Sequence, residues 1–363
     1  MKTRAWLSFP LFVVGIVGVQ LVLSASGRAF YLTQLTMAVY YALVVLGLSL
    51  LMVYAGQVSL GHGGFFALGG YVSAFLTTHS FAAFQGTAWA RALEQAGVLA
   101  RRKGLFETSD LITASPGAAF AAAMGLTLLV ALVIGYPALR LKGHYLAMAT
   151  LGFGLIVYRL LLGSPFLGAA DGITGVPPWR LGFGLAVSGQ SALRVQNYYL
   201  AWGVALVALA LLANLVTSRM GRALRAIHDN ETAANAMGVN TARIKLQAFV
   251  VSALLAAAAG SLLTHFNQGI GPSEASALKS VRYVALVAAG GMASLRGALI
   301  ISTLLNVLSL RGVFGTYDNA VFGLLLIIIV SVAPAGPFRS LGSWCGRRLR
   351  PGPLGREAGH GVA

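Results

Sequence analysis

Carboxylates are scarce in this chain: nine Asp and Glu stand against 26 Lys and Arg in 363 residues, and charged residues make up only 10%. A soluble domain carries about 25% charged residues, so the shortage excludes that class. Cys345 is the single cysteine, which excludes an intrachain disulfide, and no CxxC or paired His offers a cysteine-based metal site. HExxH and GxSxG are missing, and no two aspartates fall on facing helices, so a membrane-embedded hydrolase has no visible active site. There is also no GxxxxGK followed by Ser or Thr, hence no nucleotide site within this chain. Energy for any pumping has to arrive from another polypeptide.

What is abundant is apolar sequence, 57% of the residues. Runs near the 20 residues that cross a bilayer cover Trp6 to Leu23, Phe30 to Tyr54, Gly64 to Phe84, Ala118 to Leu139, Tyr145 to Gly163, Tyr198 to Val216 and Leu246 to Phe266. Shorter runs follow at Val281 to Ala289, Ala298 to Leu310 and Asn319 to Val332. The expectation is an all-α polytopic membrane protein of about ten transmembrane or membrane-embedded helices, some of them short. The first run, followed by Ser24-Ala25-Ser26, also has the look of a signal peptide, but its length fits a retained helix.

The net charge of +17 does not signal nucleic acid, because the basic residues form no stripe with interleaved aromatics. They sit between apolar runs. With the N-terminus in the cytoplasm, Lys2/Arg4, Arg140/Lys142, Arg219 to Lys245, Arg296 and the tail arginines all fall on the cytoplasmic side, as the positive-inside rule requires. Residues 1–337 read as one membrane unit and 338–363 as a disordered basic tail held near anionic headgroups. Gln85 to Ser115, Ser164 to Gln196 and Asn267 to Arg282 then face outward, the first as a solvated loop with room for a surface helix. All nine carboxylates fall in predicted loops, tails or helix ends. A charge at the bilayer centre costs about 2.5 to 3.5 kcal/mol and is kept only for function, so this placement argues against an ion-coupled carrier.

Three stretches carry the functional expectations. Gly56 to Gly64 breaks nearly fifty residues of apolar sequence and brings Gln57, Ser59 and His62 to membrane depth. It reads either as the lining of a solute path or as a tight turn whose polar side chains satisfy helix ends. Gly168 to Pro178, with Asp171-Gly172 and Thr174, has the chemistry of an ordered outer turn. Arg219 to Lys245 is the long polar interval, where Asp229 or Asn230 caps a two-turn helix from Glu231 to Met237 that Gly238 ends. Ala233, Ala234, Ala236 and Met237 would give that helix a small-residue surface for docking. A GGxxxLxG echo at 63–70 and 290–297 reads as chance in a chain with 45 glycines.

The motifs together resemble the permeases of branched-chain (hydrophobic) amino acid ABC importers, specifically the LivM-like subunit. The resemblance rests on YAGQVSLGHGGFFALGGYVSAFL (54–76), LRLKGHYLAMATLGFG (139–154), DGITGVP (171–177), GRALRAIHDNETAANAMGVNTARIKLQAF (221–249), VAAGGMASLRGALI (287–300) and FGLLLIIIV (322–330). It implies an inner-membrane importer subunit of a prokaryote that works beside a paralogous permease, two cytoplasmic ATPases that bind the ATP, and a periplasmic or tethered solute-binding protein. The subunit itself would hold no cofactor. Glu231, Ala233, Ala234, Met237 and Gly238 match the loop received by the ATPase, and Gln57, Ser59, His62, Asp171 and Thr174 are candidates for the path. Relatives tend to carry Glu where this chain has Leu155. Urea, short amides or aromatic acids are alternative cargoes, and a stand-alone channel is an alternative mechanism.

Overall fold

A computed structural model describes residues 2–80, 94, 97–103, 110–141, 143–182, 184–290, 294–313 and 315–332. Helix α1 spans Lys2–Ala25, and α2, Tyr31–Ser49, is prolonged by a π turn over Leu50–Tyr54; α3 spans His62–Thr78. Then come α4 (Pro116–Ala138), α5 (His144–Gly163), α6 (Arg194–Thr217), α7 (Arg219–Asp229), α8 (Glu231–Ala236), α9 (Thr241–Asn267), α10 (Ala277–Gly290), α11 (Leu295–Leu310) and α12 (Asp318–Val332). Apart from α7 and α8 these are the apolar runs read from the sequence, and among the described residues five stretches are long and apolar enough to cross a membrane on length and composition. The molecule is an all-α polytopic membrane protein.

Lipid tails are as apolar as leucine, so helices in a bilayer associate through close packing rather than hydrophobic exclusion. The α3–α9 crossing is built that way. A Cβ on Gly69 would meet the Ala257 backbone, and one on Gly260 would meet the Phe66 carbonyl. Two helices with so little between them touch backbone to backbone. α2 is the central helix, with 78% of its apolar window buried among its neighbours. By contrast α4 and α5 turn Leu129, Val133, Met148 and Leu160 outward, which suits lipid.

Short strands gather at the end of the bundle opposite α7 and α8. β1 (Leu99–Lys103) pairs antiparallel with β2 (Asp110–Ala114), and β4 (Trp179–Gly182) with β5 (Leu185–Val187). β3 (Ile173–Thr174) pairs with β6 (Gly269–Ile270), tying the loop before α6 to the chain that leaves α9. Of the interval 85–115, the described stretches 99–103 and 110–114 form a strand pair and Glu94 is helical; most of the remainder, where the sequence left room for a surface helix, lies outside the described residues. The expected tail, 338–363, and Lys142 also lie outside them.

Two elements begin inside the bundle. α3 starts at His62 only after residues 55–61 have climbed inward from the α7/α8 end, where Gly56 rests against the His228 ring. α10 starts at Ala277 after residues 268–276 have entered from the opposite end. The two helix starts meet, since the Gly63 amide donates to Ser280 Oγ at 3.2 Å. From there the helices run in opposite directions. The two GGxxxLxG sites are not equivalent: one lies inside α3, whereas of the other Gly290 ends α10 and Leu295 begins α11.

Candidate transport path and docking loop

The docking loop is built from its caps. Ser218 accepts from the Met220 amide to start α7, which buries Gly221, Leu224 and Ile227 and leaves Arg219, Arg222 and Arg225 exposed. Asn230 Oδ1 then accepts from the Ala233 amide at 3.0 Å, fixing the start of α8, so Asn230 rather than Asp229 is the cap. At the other end the Val239 amide reaches the Ala234 carbonyl at 3.1 Å and the Gly238 amide the Asn235 carbonyl at 3.0 Å. That is a Schellman closure, and Gly238 takes the left-handed φ of +81° that it needs. α8 is therefore a defined six-residue helix.

Its faces are unequal. Met237 is 84% exposed and Ala233 and Ala236 are also exposed, whereas Ala234 is buried against the rest of the chain. Glu231 turns inward and holds Lys245 Nζ at 2.7 Å, with the Lys245 side chain 5% exposed. A buried ammonium needs such a partner. Glu231 thus anchors α8 to the first turns of α9 instead of facing outward with the alanines.

α9 runs from this anchor through the whole bundle. Ser252 Oγ meets His62 Nε2 at 2.6 Å, and His62 Nδ1 meets Ser59 Oγ at 3.1 Å. His62 and Ser59 are buried in this chain of bonds and line neither of the two cavities described below. Their placement fits the satisfied helix start. Gln57 is different: it lines a cavity of about 300 Å³ at the docking end together with His144, His228, Glu231 and Lys245.

At the opposite end lies a cavity of about 240 Å³, walled by Asp171 and Thr174 from the turn before α6, by Leu263 and Thr264 from α9, and by Phe66 of α3. Asp171 and Thr174 are brought together there because β3 pairs with β6, and Gly172 (φ +72°) lets the turn pass directly over the Ile270 carbonyl. Glu274 also lines this cavity. Its carboxylate takes Lys279 Nζ at 2.9 and 3.0 Å and the Tyr41 hydroxyl at 3.1 Å. Tyr41 lies midway along the span Tyr31–Tyr54 and stacks on Phe66 with ring centroids 5.6 Å apart.

The position of Glu274 corrects the expectation that every carboxylate sits in a loop or at a helix end away from mid-membrane. Glu274 is in a loop by local structure, but that loop dips to the level of the middle of α2. The sequence contained a signal, GIGPSEASALK at 269–279: a Gly and Pro break followed by a carboxylate and a lysine five residues apart at the start of an apolar helix. A Gly-Pro break reads as a surface turn when depth is unknown. Lys279 and Tyr41 were missed with it. Leu155, where relatives tend to have Glu, is 42% exposed and lines neither cavity.

Residues 30–330 match the family model described as branched-chain amino acid transport system / permease component. The chain is 29% identical over 323 residues to the high-affinity branched-chain amino acid transport system permease protein LivM of Escherichia coli, covering 83% of this chain and 68% of that protein. Its likeness to LivM of Salmonella typhimurium is 30% over the same coverage. To the permease protein LivH of Salmonella typhimurium it is 26% over 305 residues, covering 83% of this chain and 92% of that one. No solved structure matches.

Proposed function

The chain belongs to the branched-chain amino acid transport permease family, and from that premise we propose that it is the membrane-spanning subunit of an ATP-driven importer of branched-chain and other hydrophobic amino acids. It works by alternating access. Separate ATPase subunits bind the ATP, a second permease chain completes the path, and a solute-binding protein delivers cargo at the end that carries the strands. The chain lies in the inner membrane of a prokaryote with the docking end, both termini and the basic tail in the cytoplasm, residues 1–337 acting as one unit. It holds no cofactor and catalyses no reaction of its own.

The observation that carries this reading is the linkage from α8 to the outer cavity. α8 exposes small side chains and Met237, and Glu231 fastens it to Lys245 at the start of α9. α9 then bonds the start of α3 through Ser252 and walls the outer cavity through Leu263 and Thr264. A push on α8 is passed along α9 to the start of α3 and to the wall of the outer cavity. Coupling between distant sites is carried by contiguous packed elements of this kind.

The test is isolation from the native membrane followed by reconstitution. Co-purification with two ATPases and a second permease, and leucine uptake that requires ATP and the binding protein, is the expected result. A chain that comes out alone and conducts solute without ATP would instead identify a channel. ATP-driven uptake of urea, amides or aromatic acids but not leucine would keep the mechanism and change the cargo.

A further inference from the structure

The outer cavity has a charged floor, and its chemistry points to one feature of the cargo. Both ionisable side chains that wall it are carboxylates, Asp171 and Glu274. Lys279 reaches Glu274 from behind, at 2.9 and 3.0 Å, without itself walling the cavity. Tyr41, also outside the cavity wall, donates to Glu274 Oε1 at 3.1 Å. Two more tyrosines lie within electrostatic reach of Glu274: Tyr71 and Tyr283, both at least nine-tenths buried. Their hydroxyls have no hydrogen-bond partner among the described residues. Buried hydroxyls without partners are uncommon, because each forfeits a hydrogen bond that water would have supplied.

Resting on the importer reading, we propose that this floor is a binding subsite for the ammonium group of an α-amino acid, with Glu274 as its acceptor and Phe66, Leu263 and Ile270 as the wall against which the apolar side chain lies. The charge balance favours this ligand. One lysine neutralises one carboxylate, so with Asp171 the cavity keeps an excess negative charge, which attracts an ammonium and repels an anionic acid. A mid-membrane carboxylate costs free energy to retain, and its lysine and tyrosine partners lower that cost while leaving it facing the cavity. The subsite gives the permease a selectivity of its own, separate from that of the binding protein, and sets amino acids above aromatic or oxo acids.

The experiment uses the intact complex in nanodiscs, with labelled leucine as probe and two competitors: leucinamide, which keeps the ammonium and loses the carboxylate, and the oxo acid of leucine, which does the reverse. Leucinamide is expected to compete and the oxo acid not. Glu274→Gln alone leaves Lys279 buried without its partner and risks misfolding, so the decisive variant is the neutral pair Glu274→Gln with Lys279→Gln. This double variant is expected to assemble and hydrolyse ATP, yet to bind leucine about ten- to a hundredfold more weakly, the loss that one hydrogen bond to a charged group represents. Leucine binding unchanged in the assembled double variant, or equal competition by the oxo acid, overturns the subsite. Either result leaves the importer reading standing, because co-purification with ATPases and ATP-dependent uptake are measured on the same preparation.

Discussion

Single residues here decide contacts that no neighbour can adjust. Gly260 is the sharpest case, since its missing Cβ would collide with the Phe66 carbonyl, a backbone atom. Gly260→Ala is expected to lower the stability of the detergent-solubilised protein by about 1–3 kcal/mol, the usual cost of overpacking, read from thermal unfolding. Gly152 in α5 has open space about its Cβ position. Gly152→Ala therefore serves as the control and should leave the unfolding temperature unchanged or slightly raised. At Glu231 the relevant atom is its partner's: Glu231→Gln leaves the almost wholly buried Lys245 ammonium without its counter-charge. That substitution should destabilise the protein by about 1–3 kcal/mol, whereas a Glu pointing at an outside partner would cost nothing in the isolated chain. Such pairings were not legible in the sequence, where Glu231 and Lys245 are merely two charges in one polar interval.

Among the elements, α8 was legible almost residue by residue. Asn230, Glu231 and Gly238 stand where cap chemistry wants them, and the helix forms between them. α7 was not anticipated as a separate helix, although Leu224 and Ile227 three residues apart mark its buried face. The reason is charge: four basic side chains from Arg219 to His228 masked a narrow apolar stripe. Because α8 depends on its two caps, Asn230→Ala and Gly238→Ala should each weaken it by about 1 kcal/mol. Hydrogen exchange at the Gly238 and Val239 amides should then quicken about fivefold, with exchange in α9 unaltered. The broken helices were half legible. Glycines announced an interruption before α3, and the length of the apolar runs placed most helix ends within a few residues. Depth was hidden, since glycine and proline break a helix equally at a surface or inside a bundle, and only the meeting of Gly63 with Ser280 reveals which applies.

For the whole molecule, the number of apolar helices and the family could be read from hydrophobic runs and motifs, while the outer cavity could not. It is assembled by β3 and β6, each only two residues long and separated by four α-helices in the chain. What unites the parts is α9, which is anchored to α8 at one end and walls the outer cavity at the other. The central claim is that force enters through the exposed face of α8. Ala234 is packed against the chain itself whereas Ala233 is exposed, so a substitution at Ala233 separates docking from folding. The direct measurement is ATP-dependent leucine uptake by vesicles holding the full complex with Ala233→Arg. The account predicts a chain inserted in normal amount, with its ATPases lost on purification and uptake abolished; normal uptake with the arginine in place would contradict it.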